Sequence, residues 1–184
     1  HGGHPGEAPR PQAPRRVQRA SLMGLAARVI TVSDRCARGE AEDRSGPLAV
    51  SLLAGHGVSA DLALVPDDIP AIRVAIRSAC EAGARLVLTT GGTGVSPRDN
   101  SPEATEPLLA ARIDGLADAV RRRGEASTPA ACLSRGLVGV TERGPGGVLV
   151  VNAPGSCGGV ADAVAVVGPL VAHIIDQLDG GDHG

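Results

Sequence analysis

The sequence predicts an α/β fold: a three-layer α/β/α sandwich with a mostly parallel central sheet. Short runs of aliphatic and β-branched residues alternate with stretches in which apolar residues recur at helical spacing. Two of the short runs are continuously apolar, as in strands covered on both faces. The length of 184 residues fits a single hydrophobic core of this kind.

Five strands are predicted from these runs. The third and the fifth are the continuously apolar ones, so we expect them in the buried middle of the sheet. In chain order, the predicted strands span residues 29–33, 58–65, 85–90, 137–141 and 148–152.

The clearest helix lies between the second and third strands. Apolar residues recur at helical spacing from Ile69 to Cys80. Asp68 stands at the N-cap position, and Gly83 stands where a helix ends in a glycine. This pattern predicts a helix packed on the sheet.

Three further helices are predicted. Ser101 followed by Pro102 is a cap and first-turn pair that opens a helix towards Ala111. A second helix spans 116–125. The last helix begins near Gly159 and is kinked or split by Pro169. Its expected inward residues are Val160, Val164, Val167, Val171, Ile174 and Leu178.

The composition excludes several kinds of binding chemistry. The chain has no Phe, Tyr or Trp, so aromatic stacking on nucleic-acid bases is excluded. All 18 basic residues are Arg, which excludes P-loop, Schiff-base and pyridoxal chemistry because each needs a lysine. A phosphate must therefore be held by Arg side chains or by the backbone.

Charge divides the chain into a predicted flexible Pro/Arg-rich tail, residues 1–27, and a single domain, residues 28–184. The tail has four Arg against one Glu, and the domain has 14 Arg against 19 acidic residues. A domain this acidic argues against nucleic acid as a partner. Because the tail holds no apolar stretch long enough for a signal sequence or a membrane span, we expect a cytoplasmic protein with no membrane partner.

The first candidate site is a glycine-rich turn after the third predicted strand. Open α/β sheets bind ligands at the carboxyl ends of their strands, and this strand runs into Gly91, Gly92, Thr93 and Gly94. Backbone N–H groups without side chains around them can approach an anion closely. A purely structural tight turn explains the same residues equally well.

Polar residues after this turn favour the functional interpretation. Ser96, Arg98 and Asp99 precede the predicted helix N-terminus at Ser101, and helix N-termini attract anions. A carboxylate beside a phosphate is unfavourable unless a divalent cation bridges the two. Asp99 is therefore a candidate ligand for Mg²⁺, and the alternative is an aspartate that only caps the loop.

A second carboxylate follows the second predicted strand. Asp68 is the better helix cap, which leaves Asp67 free to point towards the cleft. Two carboxylates from separate loops could place Mg²⁺ for transfer to a phosphate oxygen. The alternative is that Asp67 is an ordinary turn residue.

The first and last predicted strands also end in polar residues. Ser33 and Asp34 follow the first strand. Pro154, Gly155 and Ser156 follow the last, just before a helix, so Ser156 and the next N–H groups could bind a terminal phosphate. The alternative is a Gly/Pro turn that only ends a buried strand.

In combination, these segments resemble the Mog/MoaB family of molybdenum-cofactor biosynthesis proteins, which is related to the plant Cnx and gephyrin G domains. The resemblance runs from residue 29 to about 178. Ala153 stands where the family usually has Leu, and Cys157 where it often has Pro. The motifs are V-I-T-V-S-D-R (29–35), P-D-D (66–68), T-T-G-G-T-G-V-S-P-R-D (89–99), S-P-E-A-T (101–105), L-S-R (133–135) and N-A-P-G-S (152–156).

The resemblance implies homotrimers and the Mg²⁺-dependent adenylylation of molybdopterin by ATP, with pyrophosphate as the second product. Asp67 and Asp99 correspond to the family's two catalytic, metal-holding aspartates. The implied substrate-binding residues are Ser33, Asp34, the turn Gly91, Gly92, Thr93 and Gly94 for nucleotide or pterin, Ser96 and Arg98, and Pro154, Gly155 and Ser156 for the phosphate end of the pterin.

Three functions stay open at this point. The first is the adenylyltransferase, with a molybdenum-insertion protein as a downstream partner. The second is a non-catalytic, pterin-binding paralogue of the MoaB type, and the third is a scaffold in the manner of gephyrin. The presence of both Asp67 and Asp99 favours the first. The short chain, without a second catalytic domain, argues against the third.

Overall fold

The computed structural model describes residues 24–181, which form one six-stranded sheet with helices on both faces. The sheet order is β2-β1-β3-β6-β5-β4. The first four of these strands are parallel, whereas β5 runs antiparallel to β6 and β4 antiparallel to β5. The strands are β1 (Leu25–Val32), β2 (Val58–Val65), β3 (Leu86–Thr90), β4 (Ala111–Arg112), β5 (Val138–Val140) and β6 (Leu149–Ala153).

Within residues 24–181, seven α-helices and three short 3₁₀ segments lie between the strands or follow the last one. The 3₁₀ segments are Glu106–Leu108, Pro129–Leu133 and Gly168–Leu170. The helices are α1 (Asp34–Ala37), α2 (Ser45–Ala54), α3 (Ile69–Glu81), α4 (Ser101–Thr105), α5 (Asp114–Glu125), α6 (Cys157–Val167) and α7 (Val171–Leu178).

Each face of the sheet carries its own hydrophobic core. Successive side chains of a strand point to opposite faces, so Leu88 and Val151 pack on the side of α2, α5, α6 and α7. Val87 and Val150 pack on the other side, with α3 and α4. Both β3 and β6 are buried along their whole length. The predicted three-layer α/β/α fold is confirmed.

Helix α3 forms for the reasons that its sequence indicates. The Asp68 carboxylate accepts a hydrogen bond from the backbone N–H of Ala71 at 3.0 Å and caps the first turn. Ile72 and Ile76 are fully buried against the sheet. Gly83 has a φ of +91° just beyond the last turn, a conformation that glycine adopts without strain.

The first strand begins earlier than predicted. Leu25 pairs with Val58, and Ala27 is buried, so residues 25–27, which we assigned to the tail, belong to the sheet. The apolar residues Leu25, Ala26 and Ala27 extend the strand here, although the local composition resembles that of the tail. The tail's residues 1–23 lie outside the described residues.

The helix at Ser101 also differs from the prediction. Asn100 occupies the cap position, and Ser101 is the first helical residue; its buried hydroxyl donates to the Gly91 carbonyl at 2.7 Å. The helix ends at Thr105 and does not reach Ala111, because Glu106–Leu108 contains a proline and winds as a 3₁₀ turn.

The last helix is split at Pro169, as predicted, by the 3₁₀ turn Gly168–Leu170. In α7, Val171 and Ile175 are buried. The predicted Ile174 and Leu178 are partly buried and pack against the same core. The buried residues before and at the split are those predicted: Val160, Val164, Val167 and Val171.

The segment Cys157–Leu178 is long and apolar enough to cross a membrane by length and composition alone. Its apolar residues pack on the sheet in the core formed by α2, α5, α6 and α7. Burial of this kind accounts for the composition of the segment.

Candidate functional site

The predicted site residues follow four neighbouring parallel strands at the carboxyl edge of the sheet. Ser33 follows β1, Asp67 lies just beyond β2, Gly91 follows β3 and Pro154 follows β6. Strand β1 is flanked by β2 on one side and β3 on the other, and such a point in an open α/β sheet leaves a crevice for a ligand. The sheet therefore brings the predicted segments to one edge.

The glycine turn has a structural requirement of its own. Gly91 and Gly92 have φ values of +104° and +66°, which favour glycine. A Cβ on Gly91 would collide with the Val32 carbonyl oxygen, and one on Gly92 would lie 2.6 Å from the Ser101 hydroxyl oxygen. Substituting either glycine would therefore disturb the fold as well as any ligand, so these positions cannot separate a structural from a binding role.

The second turn, Pro154 to Ser156, lies directly against the first. The Thr90 hydroxyl donates to the Pro154 carbonyl at 3.0 Å, and a Cβ on Gly155 would lie 3.1 Å from the Gly91 Cα. Ser156 caps α6 by accepting from the N–H of Gly159 at 3.0 Å, which leaves its hydroxyl proton free to donate. The two predicted anion-binding turns thus form one continuous surface.

Asp67 is the buried carboxylate of the site. Its Oδ1 accepts from the Asn100 backbone N–H at 3.0 Å, and a Cβ on Gly92 would lie 2.7 Å from its Oδ2. Burial raises the pKa of the Asp67 carboxyl above its ordinary value, and the charges of Asp99 and Asp34 raise it further. The ionised form of the Asp67 carboxyl is therefore unfavourable in the folded protein, and a bound cation would stabilise it.

Asp99 lies against the far end of the glycine turn, at Gly94. Its Oδ2 accepts from the Ser96 N–H at 2.9 Å and would lie 2.7 Å from a Cβ on Gly94. Asp99 thus caps its own loop, as the alternative interpretation expected. It also contributes negative charge at Asp67, so the two roles are compatible.

Asp34 and Arg98 form an ion pair at the entrance to this region. The Arg98 Nε donates to Asp34 Oδ2 at 3.1 Å, and the Asp67 backbone N–H donates to Asp34 Oδ1 at 3.0 Å. The hydrogen bond from Arg98 lowers the pKa of the Asp34 carboxyl below its ordinary value. The pair links the loop after β1 to the loop after β3.

The carboxylates fit a cation that shares its coordination with a substrate. Among residues 24–181, no group of three or more His, Cys, Asp or Glu side chains is arranged to hold a metal ion. Asp67 and Asp99 each direct one oxygen at a glycine where a Cβ would fill the space. Mg²⁺ typically takes one or two carboxylates and completes its shell with water and phosphate oxygens, which matches this donor set.

A mostly apolar pocket of about 290 Å³ is lined in part by the glycine turn. Four predicted site residues line it: Thr93, Gly94, Pro154 and Ser156. The carboxylates of Asp67 and Asp99 do not line it. The predicted residues therefore divide into a carboxylate side and a pocket side, joined by the turn.

Sequence reasoning missed the outer wall of the pocket. That wall comes from α5, the Pro129–Leu133 segment and α6, including Val120, Arg121 and Asp162. Arg121 lies in the predicted helix 116–125, and its guanidinium donates to the Ser134 and Gly136 carbonyls at 3.1 and 3.3 Å. No motif marks Val120, Arg121 or Asp162, because they meet only through packing.

A sequence profile of the family described as "Probable molybdopterin binding domain" matches residues 28–173. The chain belongs to this molybdopterin-binding family. The match confirms the relationship expected from the motifs, and it covers both the carboxylate side and the pocket side of the site.

The relatives of this chain differ in how much of their length the chain covers. The chain is 35% identical over 148 residues to the molybdopterin adenylyltransferase of Pyrococcus furiosus, covering 80% of this chain and 87% of that protein. It is 40% identical to the molybdenum cofactor biosynthesis bifunctional protein of Synechococcus elongatus, covering 100% of this chain but 57% of that protein. The chain thus spans little more than half of the Synechococcus protein.

A solved structure of the family has the same fold. The molybdopterin biosynthesis protein from Mycobacterium abscessus superposes with a TM-score of 0.77 at 43% identity, covering 83% of this chain and 95% of that one. The six-stranded sheet and its flanking helices are therefore the family's fold.

Proposed function

We propose that this protein is a molybdopterin adenylyltransferase of molybdenum cofactor biosynthesis. It would use ATP and Mg²⁺ to convert molybdopterin into adenylyl-molybdopterin and pyrophosphate. The observation that carries the proposal is the glycine turn, which lies against both the Asp67 and the Asp99 carboxylate and also lines the apolar pocket. Similarity to the P. furiosus molybdopterin adenylyltransferase along 87% of its length supports the same activity.

The pocket side suits the pterin of molybdopterin. A flat bicyclic ring fits a small apolar pocket, and without aromatic residues it would pack on aliphatic side chains and peptide planes. Asp162 lines the pocket and pairs with Arg123 at 3.3 Å. Its carboxylate accepts hydrogen bonds only, so it complements the N–H donors on the pyrimidine edge of a pterin.

The junction of the two turns suits the phosphate of molybdopterin. The first N–H groups of α6 lack intrahelical acceptors, and they lie beside the hydroxyl of Ser156. Backbone donors to a charged oxygen are roughly twice as strong as neutral hydrogen bonds. The phosphate would then sit between the pterin pocket and the Gly91 to Gly94 turn.

The carboxylate side suits the triphosphate of ATP. A phosphate oxygen of molybdopterin attacks the α-phosphorus of ATP; a new P–O bond forms, and the bond to the β-bridging oxygen breaks, with its electron pair leaving on pyrophosphate. Asp67 and Asp99 would hold Mg²⁺, which neutralises phosphate charge. Backbone N–H groups of the turn would orient the phosphates, and Arg98, with Ser33, Asp34 and Ser96 nearby, would contact the nucleotide.

Three further properties belong to this proposal. The protein would act as a cytoplasmic homotrimer and hand its product to a molybdenum-insertion protein. A trimer would bury part of the surface that includes the exposed Leu62 and Leu64 of the edge strand β2. We expect sedimentation of a trimer at micromolar concentration in analytical ultracentrifugation, and a monomer would contradict this part.

The decisive experiment is release of pyrophosphate from ATP in the presence of molybdopterin. The proposal requires release that depends on both substrates and on Mg²⁺. Molybdopterin binding by calorimetry without release would instead favour the non-catalytic paralogue. Absence of both binding and release would leave the scaffold role as the surviving alternative.

A further inference from the structure

The arginine of the Leu-Ser-Arg motif at 133–135 has no part in the proposed reaction, yet it makes a dense set of contacts. The Arg135 guanidinium donates from Nε to the Gly94 carbonyl at 2.7 Å and from Nη2 to the Asp99 carbonyl at 2.8 Å. The Arg135 backbone N–H donates to the Thr93 carbonyl at 2.8 Å. One residue thus holds both ends of the 93–99 loop.

The orientation of this guanidinium is itself fixed. Its Nη1 forms an ion pair with the Glu103 carboxylate at the start of α4. That hydrogen bond lowers the pKa of the Glu103 carboxyl below its ordinary value, so Glu103 is charged at neutral pH. An arginine with a planar fork of donors can satisfy a carboxylate and two carbonyls together, which a lysine cannot reproduce.

The backbone that carries Arg135 is held against the pocket wall. Arg121 of α5, which lines the pocket, donates to the carbonyls of Ser134 and Gly136 on either side of Arg135. Ser134 also lines the pocket. The segment is therefore continuous with the surface that would contact a ligand.

The loop that Arg135 holds has little support from regular structure. Residues 95–98 are exposed, and within the loop Asp99 and Ser96 exchange two hydrogen bonds, N–H to carbonyl and N–H to carboxylate, each at 2.9 Å. This turn positions the Asp99 carboxylate. Its geometry depends on where the ends at Gly94 and Asp99 are anchored.

We propose that Arg135 is a positioning residue that holds the 93–99 loop against the pocket wall, so that a ligand in the pocket and the Asp99 carboxylate keep one fixed geometry. The anchoring of the loop stands on contacts alone. The catalytic consequence rests on the proposed function, because it needs Asp99 to act in the adenylyl transfer.

The first test measures the anchoring without substrate. We expect Arg135→Lys to accelerate amide hydrogen exchange at Ser96 and Asp99 by about tenfold, because hydrogen bonds from a charged group to two loop carbonyls are lost. Arg73→Lys is the matched control, since Arg73 donates to the carbonyls of Glu103 and Ala104 at 3.3 and 3.4 Å but not to the loop. Unchanged loop exchange, or equal acceleration in the control, overturns the proposal.

The second test measures the consequence for turnover. Arg135→Lys should lower kcat by about tenfold in the wild-type background and by less than twofold in an Asp99→Asn background, because a residue that acts through Asp99 has nothing left to position. Equal losses in both backgrounds would show that Arg135 only stabilises the fold. A wild-type protein that releases no pyrophosphate refutes the proposed function, and the exchange measurement then decides the anchoring by itself.

A third variant covers the case in which Arg135→Lys does not fold. Glu103→Gln leaves Arg135 in place and removes the charge that orients it. We expect faster exchange at Ser96 and Asp99 in this variant too, by a smaller factor. No change in exchange overturns the proposal.

Discussion

The carboxylate side and the pocket side of the site are built in different ways. The carboxylate side gathers Asp34, Asp67 and Asp99 from the segments after β1, β2 and β3, and hydrogen bonds between these segments hold it together. The pocket side is assembled from α5, the Pro129–Leu133 segment and α6, and packing holds it together.

The two sides therefore suit different functions. The carboxylate side concentrates negative charge, and the pKa of Asp67 is raised because of its burial and its neighbours, as is common where chemistry occurs. The pocket side offers an apolar cavity with few polar groups, as is common where a ligand is recognised. Variants on the two sides should therefore separate turnover from affinity.

The largest expected effect is on the carboxylate side. Asp67→Asn and Asp99→Asn should each lower kcat by ~10²-fold or more and leave molybdopterin affinity almost unchanged, because groups that stabilise developing charge act mainly in the transition state. Steady-state pyrophosphate release and calorimetry measure the two quantities. Asp61→Asn, an exposed residue of β2 paired with Arg28, is the control. Near-wild-type turnover in both site variants would remove these aspartates from the mechanism.

The next largest effect is on the pocket side, and it should be on molybdopterin affinity. Gly158 lines the pocket, and a Cβ built on it meets nothing within 4 Å. Gly158→Val should therefore fold normally but weaken molybdopterin binding about ten- to a hundredfold, since overpacking costs roughly 1–3 kcal/mol.

Gly115 provides the matched control for this substitution. It is also the second residue of a helix with nothing within 4 Å of an added Cβ, but it does not line the pocket. Gly115→Val should leave affinity and melting temperature unchanged. Equal affinity in the two variants would mean that the pocket does not hold the pterin.

The smallest effect concerns stability and pH. Because the pKa of Asp67 is raised in the folded state, its contribution to stability is fully present below its unfolded pKa and is lost as pH rises through the folded pKa. In Asp67→Asn, the amide oxygen can still accept a hydrogen bond from Asn100. This variant should raise the melting temperature at pH 7 in the presence of a chelator. The increase in melting temperature should vanish near pH 3.

Asp118 provides a control of opposite sign for that measurement. The hydrogen bond from Arg121 lowers the pKa of its carboxyl, so its contribution is present above the unfolded pKa and is lost as pH falls through the folded pKa. Asp118→Asn should slightly lower the melting temperature at pH 7, and this loss should shrink as pH falls through the folded pKa. The same sign for both variants would contradict the burial of charge at Asp67.

Much of the carboxylate side was predictable because local patterns determine it. Asp68 caps α3, and Asp67 is thereby left for the cleft. The glycine turn was predicted as a turn, but its need for glycine comes from Val32 and Ser101 as well as from any ligand. A sequence pattern does not show which atoms a Cβ added at a glycine would contact.

The sequence alone determined the α/β class, the position of most strands and helices, and the family, because periodicity and short motifs depend on neighbours in the chain. Only the tertiary structure decided the four-residue extension of β1, the partial burial of Ile174, the outer wall of the pocket and the contacts of Arg135. Each of these depends on contacts between residues far apart in the chain, which form only when the layers pack. A local sequence pattern contains no information about such contacts.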